Sequence, residues 1–303
     1  MAEFSRMNRH NTIKSLGIIA CLTTAFIQQD VPFSNRQALG KIQDPELNEL
    51  SGITASMHNP QNYWVHNDSG DKARIFLIND SAQRIATYYL SGIIAHDWED
   101  IGRRQHQGKA QLLIGDIGDN LAKRSCIQLH VLDEPLLRPL AKKPYSDTIP
   151  AATISTYVLK YADGPRDAES FFYDESDQQL YILSKRDLQA GVYSTPLPGA
   201  PNRDTLILHK RTTIPHTFIT SADLSSDGTE LLVKDLLHVY YWKRKPGETI
   251  VHMLARPAIS LPYKAEPQGE AIAFLTDGSA YVTISEEVLG LPAILYRYRR
   301  IGF

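Results

Sequence analysis

Three glutamates and a serine recur at matching places along the chain, and they are the residues most suited to metal chemistry. Each stands two positions before an apolar residue, at the start of a strand-like run. The five repeated positions are Ser51, Glu99, Glu169, Ala222 and Glu270, at spacings of 48, 70, 53 and 48 residues. If these runs meet around one axis, the three carboxylates repel one another strongly in a narrow channel of low dielectric constant. They then need protons, cationic partners or a metal ion.

The residue types favour calcium over zinc. No His or Cys recurs at these positions, whereas calcium binds about six to eight oxygen atoms from carboxylates, hydroxyls, carbonyls and water. Ala222 has no ligand atom in its side chain, so its two neighbours become candidates. The predicted metal ligands are Ser51, Glu99, Glu169, Glu270, Ser221 and Asp223. The alternatives are a sodium or magnesium ion, or a water-filled polar channel without a specific ion. Arg166 is the nearest basic residue, and we expect it to pair with Glu169.

A second set of charged residues follows the second strand-like run of each repeat. Acidic residues stand in the first two repeats and basic residues in the third and fourth. Metal-assisted attack on a phosphate ester needs both, because carboxylates hold metal or deprotonate water while Lys and Arg stabilise the developing charge. We predict Asp68 or Asp116 as the base or a metal ligand, and Lys185, Arg186 and Lys234 as the groups that hold an anion. The alternative is that the Asp, Asn and Gly residues only form tight turns.

Composition places the chain among ordinary globular proteins. Of its 303 residues, 43% are hydrophobic and 22% are charged, and the formal net charge is -2. These values exclude a disordered chain, a coiled coil, collagen and a membrane protein with several spans. A charge so close to zero also argues against general binding of nucleic acid, which needs a basic face to neutralise phosphates.

The elements that must position these residues are short runs rich in Val, Ile, Tyr and Leu, separated by polar turns, as expected for strands. Repeats of about 45–50 residues with about four strands each are typical of β-propeller blades. The sequence therefore predicts an all-β, five-bladed β-propeller over residues 31–303, with six blades as the alternative. An insertion at residues 134–152 accounts for the longest spacing. The last repeat ends near Arg300 after three strands, so a strand within residues 35–42 is predicted to close the ring.

Residues 1–30 differ from the rest of the chain. Arg6, Arg9 and Lys14 precede a short apolar run over residues 15–22, and small residues follow it, which is typical of a secretory signal peptide. The run is too short to span a bilayer, which needs about 20 apolar residues. Residues 18–21 also resemble a lipobox, in which Cys21 would carry the lipid. We therefore expect a periplasmic, extracellular or lipid-anchored protein, with a disordered or weakly helical N-terminus as the alternative.

The pattern resembles the calcium-activated nucleotidases, or apyrases. Residues 49–51 (Glu-Leu-Ser) and Glu99 after Trp98 are similar to the start of their inner strands, and residues 65–70 and 113–118 to the turns after their second strands. The resemblance implies a five-bladed propeller with an axial calcium held by Ser and Glu, although Ala222 departs from it. Residues 64–71, 97–101 and 115–120 resemble more closely a family of exported bacterial β-propellers without an assigned reaction.

Two functions of different class fit these residues. The first is an exported, calcium-centred hydrolase of a phosphorylated or otherwise anionic small molecule. The second is a non-catalytic propeller that binds a glycan, a peptide or a component of the cell envelope, in which the ion only holds the blades together. We expect no organic cofactor, because the sequence has no glycine-rich dinucleotide turn and no P-loop. We also expect a monomer.

Overall fold

Strands make up nearly all of the regular structure in the computed structural model, which describes residues 32–138, 141–201 and 204–302. The strands are β1 (Gln37–Lys41), β2 (Leu50–Ala55), β3 (Asn62–Asn67), β4 (Arg74–Asn79), β5 (Arg84–Leu90), β6 (Trp98–His106), β7 (Lys109–Asp116), β8 (Ile127–Asp133), β9 (Tyr145–Ile149), β10 (Ser155–Tyr161), β11 (Ala168–Asp174), β12 (Gln179–Ser184), β13 (Ala190–Pro196), β14 (Leu206–Ile214), β15 (Ile219–Leu224), β16 (Glu230–Asp235), β17 (Val239–Lys243), β18 (Ile259–Ser260), β19 (Gly269–Phe274), β20 (Ala280–Ser285) and β21 (Ile294–Arg299).

Helix is almost absent from the described ranges. They contain one short α-helix, α1 (Ile250–Leu254), which begins after Thr249, whose hydroxyl accepts a hydrogen bond from the His252 amide. No helix in these ranges is long and apolar enough to cross a membrane. The predicted export signal over residues 1–30, with Cys21, lies outside the described residues.

The strands pair mainly in antiparallel sets of consecutive elements. The sets are β2-β3-β4-β5, β6-β7-β8-β10, β11-β12-β13-β14, β15-β16-β17-β18 and β19-β20-β21-β1. Parallel pairing of β10 with β14 joins the second and third sets into one sheet. The insertion that the sequence indicates at residues 134–152 contains β9, which pairs in parallel with β5 and so extends the first sheet.

The first strand of each set lies at an edge of its sheet, and we call these five the inner strands. Each inner strand contacts two others, in the cyclic order β2, β6, β11, β15, β19 and back to β2. Sheets arranged around a ring of first strands define a β-propeller. The predicted all-β propeller fold is therefore confirmed.

The ring closes through the N-terminal strand, as the sequence predicts. β1 pairs antiparallel with β21, with Gln37 opposite Arg297 and Lys41 opposite Ile294. Behind this pairing, a hydrophobic cluster joins the first and last sheets, where Val65 and Phe76 are in one cluster with Val282. Each such fully buried side chain contributes about 1.5–3 kcal/mol.

Each inner strand carries one unpaired residue, where the strand register shifts as in a β-bulge. The unpaired residues are Ser51, Glu99, Glu169, Thr220 and Glu270. The sequence repeat predicts four of them, but its choice of Ala222 in the fourth repeat is wrong, because the register shift of β15 lies at Thr220. The residues from Thr220 to Ala222 and those from Ala222 to Leu224 both fit the repeat, so periodicity alone cannot fix where the bulge falls.

Side-chain bonds between inner strands hold the bulges in place. The Ser51 hydroxyl donates to the Glu99 carbonyl at 2.8 Å and so joins β2 to β6. The buried Asp100 carboxylate accepts from the Phe171 amide of β11 at 3.3 Å and from the Ser221 hydroxyl of β15 at 3.4 Å. Burial raises the pKa of Asp100 well above its usual range. Asp100 therefore links three inner strands next to Glu99.

We expect Asp100→Ala to lower the free energy of unfolding by about 2–4 kcal/mol, because buried donors of two neighbouring strands lose their acceptor. Asp100→Asn keeps an acceptor and should cost less. Denaturant titration measures both. Asp133 pairs with Lys109 on the surface, so Asp133→Ala serves as control and should cost at most about 1 kcal/mol. Equal losses for Asp100→Ala and Asp133→Ala would contradict the linking role.

Candidate metal centre

Charged side chains collect at the end of the ring where the inner strands begin. Asp68, Lys185 and Glu286 each follow the second strand of their set, beside the bulge of the adjoining inner strand. The charged residues of this region, which we call the acidic end, are Asp68, Asp97, Glu99, Glu169, Lys185, Glu270 and Glu286. Among the described residues, carboxylates therefore outnumber cations at the acidic end, although the charges of Lys234 and Arg124 also act on Glu270 and Asp97.

Three of these carboxylates are close enough to share one ion. Asp68, Asp97 and Glu99 each offer an oxygen within 4.8 Å of the other two. Glu99 is only 3% exposed, and its carboxylate accepts no hydrogen bond from the described residues. Asp68 and Asp97 are half-buried. A buried carboxylate without donors is costly unless a cation balances it.

The last residue of β7 and the loop after it hold Asp97 in position. The Asp116 carboxylate accepts hydrogen bonds from the amides of His96 at 3.0 Å and Asp97 at 3.3 Å, and it pairs with Arg124 at 2.6 Å. The Gly118 amide in turn donates to the Asp97 carbonyl at 3.2 Å. Asp116 is completely buried, so these contacts give it a positioning role behind the cluster.

Gly118 leaves the space that two of the carboxylates occupy. A Cβ atom at this position would lie 2.2 Å from Glu99 Oε1 and 2.4 Å from Asp97 Oδ2. No other residue type fits without displacing both side chains. Residues 115–120 thus contribute to the cluster in two ways. Gly118 leaves room for the carboxylates because it has no side chain, and Asp116 holds Asp97 in place.

Burial and mutual repulsion raise the pKa values at the acidic end. Burial, followed by the charges of Asp68 and Asp97, raises the pKa of Glu99 well above its usual range, and Lys185 opposes this only in part. Burial and Asp68 raise the pKa of Asp97 to about 6. Burial and Glu270 raise the pKa of Glu286 to about 8. A bound cation would lower these values, because it stabilises the charged carboxylates.

The donor set fits a hard cation. All three nearby groups are carboxylates, and neither His nor Cys belongs to the cluster. Such ligands suit calcium or magnesium, with water completing the coordination shell, and not zinc. Asp68, Asp97 and Glu99 are therefore the residues that could hold a metal ion.

Of the six ligands predicted from sequence, the structure brings only Glu99 into this cluster. The Ser51 hydroxyl is bonded to the Glu99 carbonyl. Glu169 pairs with Lys185, so the expected pair with Arg166 is wrong, since Arg166 bonds Asp163 at 2.8 Å instead. Glu270 contributes to the charge at the acidic end, and burial raises its pKa.

The two candidates from the fourth repeat have partners inside the protein. The Ser221 hydroxyl donates to Asp100. Asp223 accepts from the Phe274 amide at 2.7 Å and pairs with Arg103 at 3.4 Å. Both residues follow the bulge of β15, and both connect inner strands to one another.

The three basic residues predicted to hold an anion are engaged by the protein's own oxygen atoms. Lys185 pairs with Glu169, and Arg186 pairs with Asp167 at 2.6 Å. Lys234 is completely buried, donates to the Asp235 carbonyl at 3.0 Å and to the Gly269 carbonyl, and has its pKa lowered to about 8 by burial. Lys234 thus ties β16 to β19.

Sequence reasoning missed Asp97, although a signal for it exists. Asp97 stands only two residues before the repeated position Glu99, so its carboxylate is close enough to reach the same ion. The sequence predicts that Asp68 lies in the loop after the second strand of its repeat, and in the structure Asp68 directly follows β3. Its closeness to the neighbouring sheet follows from the ring, which no local pattern records.

A cavity of about 500 Å³ adjoins the cluster and shares Asp97 with it. Its wall includes His96, Asn120, Lys123 and Arg124. Lys123 and Asn120 are exposed. A small molecule in this cavity would therefore meet a cluster carboxylate and basic side chains together.

Comparisons with known proteins assign no family to the chain. No family model and no curated protein matches the chain. A solved structure of a nidogen–laminin complex is similar at a TM-score of 0.46 and 10% identity, over 79% of this chain and 73% of that one. A gluconolactonase from Xanthomonas campestris is similar at a TM-score of 0.46 and 10% identity, over 83% of this chain and 72% of that one. Neither similarity is strong enough to indicate an activity.

We expect calcium to raise the melting temperature of chelator-treated protein by about 5 °C at about 100 times its Kd, because an ion bound only by the folded state stabilises it. Glu99→Gln and Asp97→Asn should abolish this rise in calorimetric scans. Glu169→Gln is the matched control, since Glu169 occupies the equivalent bulge but pairs with Lys185. A rise that survives in Glu99→Gln and disappears in Glu169→Gln would contradict the assigned cluster.

Gly118→Ala tests the same centre without changing any charge. The new methyl group should displace the Glu99 and Asp97 carboxylates, so the calcium-dependent rise in melting temperature should vanish. The backbone at Gly118 is not left-handed, and the clashes involve side-chain atoms, so the chelated variant should melt close to the chelated wild type. An unchanged calcium response in isothermal titration would show that these two carboxylates do not bind the ion.

Proposed function

We propose that this protein is a five-bladed β-propeller that binds calcium through Asp68, Asp97 and Glu99 and hydrolyses a small anionic substrate beside the ion. The blade number is supported by the five inner strands, whose contacts form one cycle. On the grounds of residues 1–30, we also propose that the protein is exported, with a possible lipid anchor at Cys21.

One observation carries the proposal. The Glu99 carboxylate is 3% exposed, has no donor among the described residues, and lies with two further carboxylates in a group of the size of a metal site. Several kcal/mol are lost for each buried charge that stays uncompensated. A divalent cation would offset this cost for all three groups together.

The adjoining cavity supports a role in catalysis. Because Asp97 belongs to both the cluster and the cavity, a bound substrate would lie next to the ion. Calcium would supply Lewis-acid polarisation of an ester or phosphoryl oxygen. Among the protein's own groups, Asp68, Asp97 and Glu99 hold the ion, Lys123 binds the substrate anion, and Asp116 fixes Asp97. Lys123 thereby takes the role that the sequence suggested for Lys185, Arg186 and Lys234.

A second candidate function is a propeller whose ion is purely structural and which binds a glycan, a peptide or an envelope component. The contacts of Lys185, Arg186 and Lys234 favour it, because these cations are saturated by internal oxygen atoms. In that case the acidic end would stabilise the ring without turning over any substrate.

A screen of phosphoesters, nucleotides and lactones, with calcium and with chelator, distinguishes the two functions. For the enzyme, turnover should require calcium, and Glu99→Gln should abolish it.

Asp116→Asn should lower kcat/KM by about 10–100-fold, as expected for a group that orients a metal ligand from behind. Lys123→Ala should raise KM with little change in kcat, whereas Lys109→Ala, a surface lysine paired with Asp133, should change neither. If calcium binds but no compound is turned over, the structural role stands and the hydrolase is excluded.

A further inference from the structure

A second buried charge, with incomplete hydrogen bonding among the described residues, lies near the opposite end of β6. Arg104 is only 2% exposed. Its Nε donates to Gln111 Oε1 at 2.9 Å, but no described residue accepts a hydrogen bond from Nη1 or Nη2. The neighbouring Arg103, in contrast, pairs with Asp223. The guanidinium group of Arg104 is therefore buried with its outer face unsatisfied.

This arrangement is costly unless something supplies the missing charge. Arginine stays protonated in proteins, so burial cannot neutralise it. An uncompensated buried ion costs several kcal/mol. The ring of Tyr173, 5.5 Å from the guanidinium carbon, compensates by only about 0.5–2 kcal/mol. The charge of the exposed Glu175 carboxylate offsets the cost only in part, because Nη1 and Nη2 still lack an acceptor among the described residues. The geometry calls for an anionic acceptor at Nη1 and Nη2.

Space for such an acceptor exists next to Arg104. A cavity of about 420 Å³ is lined by Arg103 and Arg104, by the apolar side chains of Met57, Tyr173 and Leu224, and by polar groups that include Ser176. Its walls are the last residues of inner strands and the turns after them. This volume lies within the range of about 300–1,000 Å³ that is usual for small-molecule sites.

The charges around the cavity restrict the class of ligand. Asp223 neutralises Arg103, and Arg244 neutralises Asp174 at 2.7 Å. Two exposed acids, Glu175 and Asp227, also line the cavity and would repel a doubly charged phosphate. One carboxylate group carries a single charge, and its two oxygens match the fork formed by Nη1 and Nη2.

We propose that this cavity is a binding site for a small organic monocarboxylate, whose carboxylate pairs with Arg104 while its body lies against Tyr173 and Leu224. The site is separate from the metal centre, because Glu99 and Arg104 are five residues apart on one extended strand, about 17 Å at 3.3–3.4 Å per residue. The proposal does not depend on the protein being a hydrolase.

The test titrates acetate, lactate and inorganic phosphate against sodium chloride at equal ionic strength and constant calcium, with the melting temperature of the full chain as readout. Acetate or lactate should raise it by about 3 °C at about ten times Kd, and phosphate should match chloride. Arg104→Met should abolish this rise, and Arg104→Lys should weaken it because the fork is lost. Since Arg104→Met removes an unpaired buried charge, it should melt no lower than wild type in chloride.

Further variants separate this cavity from other anion sites. Glu175→Gln should tighten carboxylate binding by removing a repulsive charge. Glu99→Gln at the metal centre, and Arg84→Met, whose guanidinium pairs with Asp44 at 2.7 Å in the first sheet, should leave the rise intact. The proposal is overturned if neither carboxylate stabilises the wild type, if phosphate stabilises it in place of the carboxylates, or if the rise persists in Arg104→Met.

Discussion

The rest of the structure depends on the cost of burying like charges together. Six carboxylates gather where the inner strands begin. Among the described residues, Lys185 is the one ammonium group that forms an ion pair with any of them, and it is already paired with Glu169, while Lys234 acts on Glu270 from further away. The hydrophobic clusters between the sheets place these groups there, so the repulsion cannot relax by separation. Protonation offers partial relief, as the raised pKa values of Asp97 and Glu286 indicate. A cation offers more, since it compensates several carboxylates at once.

The backbone tolerates this cost near Glu99 because the bulge residue of β6 is bonded to the neighbouring inner strand β2. Without these bonds, Glu99 could turn towards solvent. The Ser51 hydroxyl holds the Glu99 carbonyl, and Asp100 holds the amide of Phe171 on the adjacent inner strand β11. Gly118 completes the arrangement by leaving room for the carboxylates. The chain thus uses main-chain bonding to position charges that would otherwise disperse, as expected of a binding site and unusual for a purely structural turn.

The repeated strands and the closing strand β1 could be predicted from the sequence because hydrophobic periodicity and turn residues record them locally. The sequence could not predict which carboxylates come together in the metal cluster. Both Thr220 and Ala222 fit the repeat, and only the register shift of β15 decides between them. The position of Lys234 also depends on this register. Lys234 lies within β16 opposite Ser221 and is buried, whereas Lys185 lies just after the end of β12. Asp68 meets Asp97 across two sheets, a contact that depends on the ring geometry and on no spacing within either segment.

The two ends of β6 present opposite electrostatic problems on one strand. At its start, Glu99 has a surplus of negative neighbours, and near its end, no described residue accepts a hydrogen bond from the outer nitrogens of Arg104. The two groups could in principle have neutralised each other, but an extended strand holds them about 17 Å apart, too far for an ion pair, in which nitrogen and oxygen lie within about 4 Å of each other. Each charge must therefore be balanced locally. Since the strand is fixed on both sides by other inner strands, neither end can adjust by moving, and a cation at one end and an anion at the other are the simplest way to satisfy both.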